Sequence, residues 1–188
     1  MNNNEIIDKI IMFTDEAHGE QTRKYNTDRY IVHPVRVMEA CRQYTERLSV
    51  LSAAIMHDII EDTPLTKNDI SIFLSSVMDE KNKTETVNMI IELTDVFVKK
   101  DFPHLNRSKR KKLEIERLQN ISPEAQTIKY ADIMDNAKEI VQDDVSFARR
   151  FLQECRDILI ALKKGNPELR HKALSLVNTE ILKLKNNK

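Results

Sequence analysis

Glycine is nearly missing from this chain: there are two in 188 residues, Gly19 and Gly165. Two glycines so far apart spell neither G-x-G-x-x-G nor the phosphate loop G-x-x-x-x-G-K. A dinucleotide fingerprint and a Walker-type nucleotide site are therefore excluded. Proline adds only five more turn formers, too few for an all-β sandwich or barrel. Tryptophan is absent and aromatics make up 5%, which leaves few platforms on which nucleic-acid bases could stack. Neither sign of charge is in excess, with 30 Lys and Arg against 30 Asp and Glu. No global field steers the chain onto a polyanion, so no nucleic-acid partner is expected and any phosphate binding needs a local cluster. Cysteine is reduced to Cys41 and Cys155, without C-x-x-C spacing, and both read as reduced core thiols. The longest apolar run is five residues, Ile158 to Leu162, whereas a membrane span needs about 20. The start, MNNNEIIDKIIMF, is broken by Asp8 and Lys9 and does not read as a signal peptide. A cytoplasmic protein without a membrane partner is the expectation.

What the chain does have is helical periodicity in a composition that is 40% apolar and 32% charged, the mixture of a globular protein. Ile6, Ile7, Ile10, Ile11 and Thr14 recur at three- and four-residue spacing on one helix face. The polar stretch from Glu20 to Tyr30 reads as a loop, and Pro34 suits the first turn of the next helix. A third helix is expected from Glu46 to Asp62, ended by Thr63-Pro64. Thr66 and Asp69 read as the cap of a fourth. Residues 79 to 84, DEKNKT, read as a polar break before a helix around Val87 to Leu93. Ser122-Pro123 opens a helix carrying Tyr130 to Ile140. A long helix ends at Gly165, and Asn166-Pro167 starts the last. With no repeat, low-complexity tract or linker, the expectation is one all-α domain over residues 1–188.

One helix carries an unusual charge pattern. In LSAAIMHDIIED, Leu51 to Asp62, a wheel with Ala53 at zero puts His57 near 40°, Glu61 near 80°, Asp58 near 140° and Asp62 near 180°, at about 100° per residue. Ile55, Met56, Ile59 and Ile60 fill the other side. A solvated face normally mixes signs at i,i+4 spacing. Here three carboxylates and an imidazole crowd together without a Lys or Arg. A solvated face and a divalent-metal site both remain open for this helix alone, and the crowding favours metal. In KYADIMDNAKEI, Asp132 and Asn136 share a face with Lys129 nearby, which fits a locally bonded polar surface or the second half of such a site. His33, just before Pro34, is a packed or capping residue unless it joins His57 and Asp58.

The order His33, His57-Asp58, Asp132 resembles the metal signature of the HD superfamily of phosphohydrolases. Three longer stretches narrow the resemblance. AHGEQTRKYNTDRYIVHPVRV, AAIMHDIIEDT and IKYADIMDNAKEI are similar, in that order, to the motifs of the hydrolase domain of RelA/SpoT-type proteins, over about residues 17 to 140. The nearest group in size is the free-standing small alarmone hydrolases of the Mesh1-like type. The resemblance implies an all-α HD bundle in which His33, His57, Asp58 and Asp132 hold one divalent ion, typically manganese. It implies that Glu61 and Asp62 position and deprotonate the attacking water, that Arg23 and Lys24 line the nucleotide site, and that Asn136 contacts the ribose or its phosphate. The implied reaction removes the 3′-pyrophosphate from guanosine tetra- or pentaphosphate (ppGpp or pppGpp), and the implied partner is a small nucleotide. His and Asp ligands without thiolate suit Mn²⁺, Fe²⁺, Co²⁺ or Zn²⁺. Arg23 can hold phosphate bidentately and Lys24 adds a mobile point charge.

The chain departs from the family pattern at Glu20, Arg29, Ile133 and Asp135, none of which is a metal ligand or part of the Glu61-Asp62 pair. These departures bear on which nucleotide is taken. Rival readings are a different phosphohydrolase on the same scaffold, either a 5′-nucleotidase or a 2′- or 3′-phosphatase of a dinucleotide cofactor, and an inactive nucleotide-binding module. The densest basic run, Arg107 and Lys109 to Lys112, is either an attractor for polyphosphate or an exposed helix start. The sequence carries no sign of oligomeric state.

Overall fold

A computed structural model of the chain describes residues 1–23, 27–139 and 145–186. It is all-α, with one isolated β-bridge between Thr22 and Arg29 among the described residues. The chain divides into two compact units, Met1–Thr94 and Asp95–Lys188.

The first unit holds α1 (Asn3–His18), α2 (Val32–Arg42), α3 (Leu48–Ile55), α4 (Ile59–Asp62), α5 (Lys67–Val77) and α6 (Glu80–Leu93). Its centre is α3. The sequence LSVLSAAI has no charged residue, and a helix apolar on all sides must be enclosed. All eight of its residues are buried, and α1, α2 and α6 pack around it. The α1 stripe behaves as its spacing predicts, with Ile6, Ile7, Ile10 and Thr14 buried. Asn2 and Glu5 close a capping box at its start, and Thr66 with Asp69 closes another at α5.

Two expectations about element boundaries are corrected. The helix expected from Glu46 to Asp62 is two helices, α3 and α4, separated at Met56, His57 and Asp58. The polar segment 79–84 is the start of α6: Asp79 is its N-cap and accepts from the Asn82 N–H at 3.0 Å. A solvent-facing first turn carries no apolar residues to betray its period, so the caps were its only signal.

The second unit holds α7 (Arg107–Leu118), α8 (Pro123–Glu139), α9 (Val145–Ala161) and α10 (Pro167–Asn186). The last residue expected in α8, Ile140, lies outside the described residues. α10 packs on α8 and α9, and α7 packs on α9. The turn between α9 and α10 is fastened to α8 side chains. The backbone N–H groups of Lys164, Gly165 and Asn166 donate to Gln126 Oε1 (2.8 Å), Tyr130 Oη (3.3 Å) and Thr127 Oγ1 (2.9 Å). That approach requires glycine, because a Cβ at 165 would lie 2.6 Å from Tyr130 Cε2 and 2.8 Å from Thr127 N. Glu114, almost fully buried, accepts from the Val96 and Phe97 N–H groups and so holds the loop before α7. In the basic run, Arg107 pairs with Glu154 at 2.6 Å and Lys111 with Asp95 at 3.2 Å. Cys41 and Cys155 are buried free thiols, as expected. No helix among the described residues is long and apolar enough to cross a membrane.

Candidate metal centre

The break between α3 and α4 builds the site. In an uninterrupted helix the Ala54 carbonyl would take the Asp58 N–H. Here it lies 2.9 Å from His57 Nδ1. A carbonyl only accepts, so Nδ1 carries the proton and Nε2 turns its lone pair the other way. The chain re-enters a helix through the Ile59 N–H to Met56 carbonyl bond at 3.1 Å. His57 therefore leaves the polar arc drawn for a continuous helix and becomes a buried residue, 2% exposed. Met56 and Ile59 are buried as the wheel placed them, and Glu61 and Asp62 stay exposed on α4.

His33 arrives from the first turn of α2, which packs on α3. One ligand atom from each of His33, His57 and Asp58 lies within 4.8 Å of the other two. Asp58 Oδ2 is 3.1 Å from His57 Nε2 and 3.6 Å from His33 Nε2. Two donors bound at about 2.1 Å to one ion and at right angles sit about 3 Å apart, so these separations fit neighbouring ligands of a shared cation. With neutral imidazoles the lone pair of His57 faces a carboxylate oxygen, an arrangement that repels unless a cation lies between. The His57 Nδ1 bond to Ala54 is the outer contact that orients a metal-binding histidine. The three residues can hold a divalent metal ion.

Sequence reasoning gave no role to the residues that support this trio. Tyr30 donates its hydroxyl to Asp58 Oδ2 at 2.6 Å. Burial first, and the Asp58 charge second, hold the Tyr30 phenol well above its ordinary range. It is a hydroxyl donor at any ordinary pH. Its ring stacks on His18, centroids 4.4 Å apart. The described residues on either side of it are joined by a run of backbone bonds: Gln21 N to His18 O, Tyr30 N to Gln21 O, and His33 N to Tyr30 O, at 3.1, 2.9 and 3.0 Å. The Arg23 guanidinium lies 5.6 Å over the Tyr30 ring. Lys24 lies outside the described residues. Asp62 accepts from Gln21 Nε2 at 3.2 Å.

Asp132 and Asn136 belong to the second unit, on α8. Asp132 is buried, with Lys129 Nζ on one oxygen at 2.9 Å and Asn136 Nδ2 on the other at 2.6 Å. Their i,i+3 and i,i+4 spacing is thus realised as direct contact. Of the residues that depart from the family pattern, Ile133 and Asp135 are buried within that unit. Arg29 pairs with Asp15 at 3.0 Å and reaches the Gly19 carbonyl, tying the loop to α1.

A buried imidazole, His33, beside the His57-Asp58 dipeptide, on a helical scaffold, is a candidate metal site of the HD type. The HD domain family matches residues 30–137, and the chain belongs to that family. Among its relatives is MESH1 of Drosophila melanogaster, named a guanosine-3′,5′-bis(diphosphate) 3′-pyrophosphohydrolase. It is 30% identical over 155 residues, covering 79% of this chain and 75% of that one. A Vibrio cholerae protein of the same enzyme name is 38% identical over 65 residues, covering 35% of this chain. The chain spans 9% of the Vibrio protein and 18% of a similarly named relative from Mycoplasma pneumoniae. The solved structure of a metazoan ortholog of SpoT shares the fold, with a TM-score of 0.75 over 93% of this chain and 94% of that one at 21% identity.

Proposed function

We propose that this protein is a metal-dependent hydrolase of guanosine tetra- and pentaphosphate, releasing the 3′-pyrophosphate and leaving GDP or GTP. The observation that carries the reading is the convergence of His33, His57 and Asp58 in a chain 30% identical to a pyrophosphohydrolase of that name over three quarters of the relative's length. The resemblance adds Asp132 as the fourth ligand, and Mn²⁺ as the ion. We also propose that residues 1–188 work as one HD-type domain, since the family match runs from 30 to 137, across the boundary at Thr94.

Held by these residues, a divalent ion would supply charge withdrawal from the phosphoryl group and activation of the attacking water. Glu61 and Asp62 would supply the carboxylates that orient the attacking water and accept its proton. Both are exposed at the end of α4, where substrate and solvent reach them. Arg23 presents a fork of donors to a phosphate, with Lys24 as a second cation. Asn136 serves the ribose or its phosphate. Within the cell a cytoplasmic location and a small nucleotide partner go with this reading. The test is a pair of variants, Glu61→Ala and Asp62→Ala. Each is expected to lose turnover of guanosine tetraphosphate by at least about 100-fold, the usual contribution of a positioned acid or base, while metal analysis still finds the ion. Near-normal rates in both variants would refute the assignment.

A further inference from the structure

We propose that Gln21 is a positioning residue for Asp62, and that His18 holds Gln21 in place. The proposal deepens the hydrolase reading above and rests on it for the chemistry, though not for the geometry.

The orientation of the Gln21 amide is dictated by its neighbours. The Asp62 carboxylate only accepts, so the atom facing it at 3.2 Å is the Nε2 donor. The amide oxygen then faces His18 Nδ1 at 2.9 Å and accepts a hydrogen bond from its N–H. His18 is the last residue of α1, 7% exposed, and its Nε2 is buried without a hydrogen-bond partner among the described residues. Its polar engagement is therefore the one with Gln21. Stacking on Tyr30 fixes the plane of the imidazole. Gly19, at φ 55°, turns the chain so that Gln21 folds back over the helix end. The backbone of Gln21 is bonded on both sides, to His18 through its N–H and to Tyr30 through its carbonyl.

Asp62 itself ends the four-residue α4 and is exposed. An exposed carboxylate at a helix end samples several rotamers unless something holds it. Asp62 receives the Gln21 amide at 3.2 Å from the His18–Gln21 pair, anchored on the 16-residue α1, and it also interacts with the Tyr30 hydroxyl. The same loop that delivers Tyr30 to Asp58 thus delivers Gln21 to Asp62. One backbone segment sets a metal ligand and an attacking-water carboxylate together.

Two measurements test this. Gln21→Glu keeps an acceptor for His18 and the size of the side chain, and replaces the donor to Asp62 with a repelling oxygen. With guanosine tetraphosphate and Mn²⁺, kcat is expected to fall about tenfold, with KM within threefold and metal content unchanged. A kcat within twofold of wild type would overturn the proposal, as would an equal loss in metal content. Independently of any activity, the side-chain amide signals of Gln21 in ¹⁵N-labelled, metal-free protein are identified by their absence in Gln21→Glu. They are expected to move in Asp62→Ala and again in His18→Phe, which keeps the stack on Tyr30 and removes the donor. Signals unmoved by Asp62→Ala would overturn it. If wild-type protein leaves guanosine tetraphosphate intact, the hydrolase reading fails, and the amide signals still decide whether Gln21 holds Asp62.

Discussion

Removing one oxygen from Tyr30 isolates the support of the metal site from its ligands. Tyr30→Phe keeps the ring that stacks on His18 at 4.4 Å and lies under Arg23. What is lost is the hydroxyl, with its 2.6 Å bond to Asp58 Oδ2 and its further interaction with Asp62. Two routes give the size of the effect. Loss of an outer-shell partner of a metal ligand weakens metal binding about 10- to 100-fold, equivalent to about 1.4–2.7 kcal/mol. A hydrogen bond to a charged group is worth about 1.5–3 kcal/mol. The two ranges overlap, so a Mn²⁺ dissociation constant raised about 30-fold is the expected result. Titration followed by the paramagnetic resonance of free Mn²⁺ measures it. His57→Ala, which removes a buried candidate ligand, sets the limit of complete loss. Because the Tyr30 phenol is held above its ordinary range by burial and by Asp58, the difference between wild type and Tyr30→Phe is the same at pH 7 and pH 8.5. A dissociation constant within twofold of wild type, with His57→Ala unable to bind, would refute the role of Tyr30 in fixing Asp58.

Other consequences are structural. Gly165→Ala forces a Cβ to within 2.6 Å of Tyr130 and 2.8 Å of the Thr127 backbone, and is expected to destabilise the protein by about 1–3 kcal/mol; an unchanged denaturation midpoint would contradict that packing. Burial pushes the Cys41 thiol up to about 12 and raises Cys155 beyond the usual thiol range. Neither thiol is expected to react with iodoacetamide at pH 8 until the chain is unfolded, and mass spectrometry of the native protein reads this directly. The same shift lowers stability as pH rises above about 9, where the unfolded thiols ionise and the folded ones do not.

The helical architecture was legible because its stripes and caps are local. Ile6 to Thr14, Thr66 with Asp69, and Asn166-Pro167 each announce an element by spacing or capping, and each stands where expected. The start of α6 was hidden because a polar first turn and a polar loop have the same composition. The break at Met56 to Asp58 was hidden for a different reason. The competitor for the Ala54 carbonyl is a side chain, and a wheel counts only residues. The structure brings His33, His57 and Asp58 within 4.8 Å of one another, while Tyr30, Gln21 and His18 join them through contacts that local spacing does not show. Their signal is long-range: Gln21 reaches a residue 41 positions on and Tyr30 one 28 positions on. No periodicity within a single helix carries such pairings.

The central claim, that this HD-family chain removes pyrophosphate from a guanosine alarmone by way of a metal site built on His33, His57 and Asp58, is tested most directly by one assay. Pyrophosphate release from guanosine tetraphosphate is followed with Mn²⁺ and with chelator. GDP and pyrophosphate in equal amounts, formed only with the metal, are the predicted result. Intact guanosine tetraphosphate in the presence of protein shown to hold the ion would contradict it.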